Sequence, residues 1–104
     1  MKTVWTRFAV ENLKNIYIYF LEIAGPAVAS KIRNGIVAES KKISKQPLSG
    51  QIQESLLSLR QEHRYIIKGH YKVIYRIINE EVVITDVFDT RQHPSKMNDD
   101  NRKL

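Results

Sequence analysis

The alternation of apolar and polar side chains is sharpest in the second half of the chain, and it predicts a sheet there. From Tyr71 to Ile78 two sets interleave at every second position: Tyr71, Val73, Tyr75 and Ile77 in one, Lys72, Ile74, Arg76 and Ile78 in the other. Successive side chains of a strand point to opposite faces, so the sets lie on opposite sides of one sheet. Lys68-Gly69-His70 and Asn79-Glu80-Glu81 interrupt the runs on either side. Gly and Asn tolerate the positive φ of tight reversals, and Arg64 to Pro94 therefore predicts a three-stranded antiparallel meander. A helical period governs the first half. Leu13, Ile16, Tyr17, Phe20 and Ala24 fall on one stripe, preceded by Thr6 as a candidate N-cap and by a short apolar strand, Lys2 to Trp5. Gly25-Pro26 suits the end of one helix and the first turn of the next. That second helix is predicted over Pro26 to Ser44, with Ala29, Ile32, Ile36 and Ile43 inward and Lys31, Arg33, Lys41, Lys42 and Lys45 outward.

The predicted order is strand, helix, helix and three strands. This is an α+β fold (β-α-α-β-β-β) in which a helical hairpin packs on one face of an antiparallel sheet and leaves the other face open. Tyr71, Val73, Tyr75 and Ile77 suit the helix side, which turns Lys72 and Arg76 outward. Between Gln51 and His63 the pattern is undecided, and Leu56, Leu57 and Leu59 fit either a short helix or a loop. Residues 1–97 form the predicted single domain, and the polar stretch 98–104 forms a tail.

A chain of 104 residues with 42% hydrophobic content can close one core unaided. The absence of cysteine excludes a disulfide framework and any Cys-based zinc site. His63, His70 and His93 are too scattered for a metal site. No phosphate-binding glycine loop or Ser-His-acid series is present, so no cofactor is expected. No run reaches the ~18 apolar residues of a membrane span, and a cytoplasmic protein is expected. The net charge of +6 changes the picture most, because it favours phosphate backbones or an acidic protein partner, with solubility alone as the plainer account. Lys72 and Arg76 on the open face, with Arg64 at the first strand of the meander and Arg91 and His93 beyond the last, make a candidate basic surface. Tyr65 and Tyr71 would supply stacking beside it, as in single-stranded nucleic-acid binding. The alternative is a solvated face on which Lys72 and Arg76 pair with Glu80, Glu81 or Asp86. His93, with an unperturbed pKa of about 6.5, is either a surface residue or a general acid or base.

The segments HYKVIYRI and VVITDVFDTRQHP, placed after two helices and a Pro-Leu-Ser-Gly turn, resemble the RelE/ParE superfamily of toxin–antitoxin toxins. The W-x4-V-x2-L-x2-I-Y pattern from Trp5 to Tyr17 is similar to the ParE branch. The resemblance implies two helices on an antiparallel sheet and a basic toxin neutralised by a tightly bound acidic antitoxin. It implies DNA gyrase as the target of a ParE-like member, or the ribosome and its mRNA for a RelE-like endoribonuclease. Arg64, Lys72, Arg76 and Arg91 are then the expected target-binding residues, and Lys72, Arg91 and His93 would be catalytic in the RelE case. Met97 stands near the position of the RelE-like tyrosine, and a thioether cannot transfer a proton. That departure favours the gyrase poison over the nuclease; a degenerate, non-toxic binding module is the third expectation.

Overall fold

A computed structural model describes residues 1–54, 56, 61–92 and 95–96. Strand β1 covers Lys2–Trp5, and Thr6 caps helix α1, Arg7–Ala24. The Thr6 hydroxyl accepts a hydrogen bond from the Ala9 N–H at 3.1 Å and lies 3.3 Å from the Thr85 carbonyl, to which it donates. The cap thus also ties the helix start to the sheet. Gly25, at φ +87°, closes α1 by donating its N–H to the Leu21 carbonyl, and Pro26 opens α2, Pro26–Lys45. A left-handed φ followed by a proline lets two helices reverse direction across one residue.

Strands β2 (Gln51–Ile52), β3 (Arg64–Lys68), β4 (Tyr71–Ile78) and β5 (Glu81–Asp89) complete the chain. They form one five-stranded sheet in the order β1-β5-β4-β3-β2, antiparallel throughout except for β1, which runs parallel to β5. The three-stranded meander and its two reversals lie where the alternation predicts. Gly69 (φ +61°) and Asn79 (φ +50°) occupy the turns, and Glu80 shares the left-handed region at φ +64°. The two-residue β2 is an addition to the predicted strands, being too short to carry a period.

Tyr71, Val73 and Tyr75 of β4 and Val82, Ile84 and Val87 of β5 pack against Ala9, Ile36 and Ile43, flanked by Trp5, Leu13, Ile16 and Phe20. A β-bulge between Ile74 and Tyr75 leaves Thr85 as an extra residue in β5. It keeps Val82, Ile84 and Val87 in this one core despite their uneven spacing. The opposite face departs from the expectation of an open surface. Leu56 packs there on Ile74 and Phe88, with Tyr65 against them. Leu56, four residues after β2, thus covers the middle of the sheet. Leu57, Leu59, His93, Met97 and the predicted tail lie outside the described residues.

Candidate functional site

The predicted basic residues divide between the two faces. Lys72 and Arg76 share the face turned away from the helices, following the parity of β4. Lys72 is half-buried there: its ammonium donates to the Gln53 side-chain carbonyl at 2.9 Å and sits 4.1 Å from the centre of the Tyr65 ring. Burial lowers its pKa. His63, one residue before β3, is 4% exposed. Its carbonyl accepts from the Gln53 N–H at 2.8 Å, so Gln53 links His63 to Lys72. Burial pushes the imidazole pKa down, partly offset by a hydrogen bond with the Gln61 carbonyl, while the Arg76 charge adds to the lowering. Sequence reasoning passed over Gln53 and weighed His63 only as a metal ligand. The period of two had a signal for the second, since residue 63 must share a side with Tyr65.

Arg64 and Arg91 do not join this face. Arg64 pairs in register with Tyr75, whose side chain is in the helix-side core. Its guanidinium donates to the Gly50 carbonyl at 2.9 Å and to Glu62 at 3.0 Å. It fastens the loop before β2 to the sheet. Tyr75 serves the same loop: its hydroxyl donates to the Pro47 carbonyl at 2.7 Å and accepts from the Gly50 N–H at 3.0 Å. Tyr65 and Tyr71 are likewise separated, one in each core.

Arg91 follows β5 and turns to the helix side. It grips Asp89 with two parallel bonds, Nε to Oδ1 at 2.9 Å and Nη2 to Oδ2 at 2.7 Å, while its backbone N–H also donates to Oδ1. These bonds hold the Asp89 carboxyl below its usual range and push the guanidinium pKa up. The pair borders a crevice of about 440 Å³ between α1 and the end of β5, shared with Asn12, Asn15, Tyr19 and Tyr71. Burial, then the Asp89 charge, raises the Tyr71 phenol pKa. A second recess, of about 230 Å³, opens where the helices meet the β3–β4 turn. The helical hairpin also leaves Val10, Ile18, Leu21 and Val28 exposed. Among the described residues, no three His, Cys, Asp or Glu side chains converge as metal ligands, and no helix is long and apolar enough to cross a membrane.

Among the described residues the arrangement offers surfaces for contact and no assembled set of proton-transfer groups. Comparison with known proteins gives it a family. No curated protein matches the chain by sequence. Among solved structures, a chain from the chromosomal ParDE toxin–antitoxin system of P. aeruginosa is similar, with a TM-score of 0.73 and 23% identity over 86% of this chain and 95% of that one. That likeness shows a shared fold. The family model for the ParE toxin of the type II toxin–antitoxin system parDE matches residues 3–94, nearly the whole described domain. The chain belongs to the ParE toxin family of type II toxin–antitoxin systems.

Proposed function

We propose that the protein arrests growth by trapping DNA gyrase on cut DNA, and that an acidic antitoxin bound to it keeps it silent. The observation that supports this reading over RNA cleavage is the dispersal of the cations among the described residues. Cutting a phosphodiester requires a base, an acid and a charge stabiliser within hydrogen-bond reach of one phosphate. Here Lys72 is committed to Gln53 and Tyr65 on one face, and Arg91 is held by Asp89 on the other. A gyrase poison needs a recognition surface and no such convergence. We assign contact with that target to Arg91, whose side chain is 54% exposed, and to Arg76, which is half-buried on the far face. Arg64 and Lys72 chiefly hold the fold. The net charge of +6 supports an acidic neutralising partner, since complementary fields speed encounter and suppress wrong pairings.

Purified protein incubated with gyrase, ATP and supercoiled plasmid should leave linear DNA after detergent and protease treatment. Ribosomes programmed with mRNA should retain full-length message in the same protein preparation. Message cut in the ribosome with plasmid left intact would replace this reading with the RelE-like one. Both nucleic acids unaffected, with no growth arrest on expression, would indicate the non-toxic binding module.

A further inference from the structure

The recess at the β3–β4 turn combines three features that the toxin activity does not require. Its floor is apolar, formed by Phe20, Ile32 and Ile36. Its rim is cationic, with Lys31 from α2 and Lys68 from the end of β3, and no carboxylate lines it. Among the described residues neither lysine has an ion-pair partner, whereas Lys2, Arg7, Lys42, Arg64 and Arg91 each do. The third feature is Gly35. Glycine inside a helix is less favourable than alanine. A Cβ at Gly35 would stand 3.0 Å from the Lys68 Cε, so the absence of a side chain lets the Lys68 stem cross α2 and carry its ammonium toward the rim.

An apolar hole with two unpaired ammonium groups above it is complementary to an apolar side chain flanked by carboxylates. At about 230 Å³ it exceeds the roughly 150 Å³ of an apolar cavity that admits benzene, leaving room for a leucine or phenylalanine. A neutral apolar partner would leave both charges facing it uncompensated, and a nucleic acid would have no use for the dry floor. We infer that this recess is the anchor point for an acidic segment of a protein partner, which seats one apolar side chain on Phe20, Ile32 and Ile36 and pairs its carboxylates with Lys31 and Lys68. The identity of that partner as the antitoxin rests on the function proposed above.

The test uses the full chain and its cognate acidic antitoxin, by titration calorimetry. Lys31→Glu/Lys68→Glu should weaken binding about a hundredfold, tenfold for each lost charge contact, and should steepen the loss with added salt. Lys41→Glu, a reversal of an exposed lysine elsewhere on α2, should leave the affinity within about threefold of the parent. Lys31→Glu alone guards against misfolding of the double variant and should show about a tenfold loss with an unchanged melt. In the parent complex the Ile32 and Ile36 methyl resonances should shift. Tight binding by the parent that survives both reversals, or an equal loss at Lys41, places the antitoxin elsewhere and overturns the inference while leaving the toxin reading intact. A parent chain that binds no antitoxin overturns both.

Discussion

Removing the Tyr75 hydroxyl separates two roles that this side chain combines. Tyr75 is fully buried, and its ring lies in the helix-side core while its oxygen serves the loop between α2 and β2. In Tyr75→Phe the ring stays and the Gly50 N–H, itself buried, has no acceptor. A buried polar group left unpaired costs about 1–3 kcal/mol, and the half-exposed Pro47 carbonyl can recover water, so we expect a loss of about 2 kcal/mol. Tyr75→Ala removes the ring as well, and large-to-small changes of an aromatic cost about 3–5 kcal/mol, so its total should approach ~5–6 kcal/mol. For a domain of this size about 1 kcal/mol moves Tm by roughly 4–8 °C, which makes even the Phe variant visible at about 10 °C. Urea unfolding followed by circular dichroism gives both values, and the m-value should be shared with the parent. Exchange at the Gly50 amide should accelerate in Tyr75→Phe more than exchange in β5. A Phe variant with the parent's midpoint and an unchanged Gly50 amide would show that the hydroxyl does not hold the loop. An Ala variant no weaker than Phe would refute the placement of the ring.

Three further outcomes are expected. His63 has a folded-state pKa below its unfolded value, so its contribution is present above about pH 6.5 and is lost as pH falls, by at most ~1.4 kcal/mol per pH unit; His63→Gln should flatten that part of the urea midpoint profile. Glu80 holds φ +64° in the β4–β5 turn, and Glu80→Gly should raise stability by about 0.5–1 kcal/mol in a thermal melt, because glycine enters that region freely. Lys72→Ala should cost about 1–2 kcal/mol in urea unfolding, more than an exposed lysine, since it removes the charge-assisted bond to Gln53 and uncovers the Tyr65 ring.

What could be read in the sequence was what repeats. The alternation through β4 assigned faces to eight consecutive residues, because a half-buried strand writes its burial into every second position. Thr6 and Gly25-Pro26 marked helix limits through their own backbone chemistry. The failures lie where no period runs. Arg64 opens β3, and only its register opposite Tyr75 fixes its side of the sheet. Arg91 lies beyond the last strand, where the Asp89 carboxylate and not strand parity sets its direction. The covering of the far face depends on Leu56 after a two-residue strand, and a single leucine carries no pattern. The candidate cations, expected on one patch, are therefore divided between the two faces of the sheet.

The parallel pairing of β1 with β5 bears on how the protein is made. Each β1 residue meets a partner 79 positions later, from Lys2 with Glu81 to Trp5 with Ile84. A ribosome releases the chain from its N-terminus, so β1 emerges before β5 and must wait for it before it finds its place. The Thr6 cap waits too, because its tie to the sheet is the Thr85 carbonyl. The α-helical hairpin and the β3–β4 hairpin rest on local contacts and can form early, whereas closure of the sheet by β1 carries the long-loop entropy and comes late. The sheet of a nascent chain is thus incomplete until β5 has emerged. Truncation within β5 would release both the last strand and the first, so a prematurely terminated product would lose two of its five strands at once.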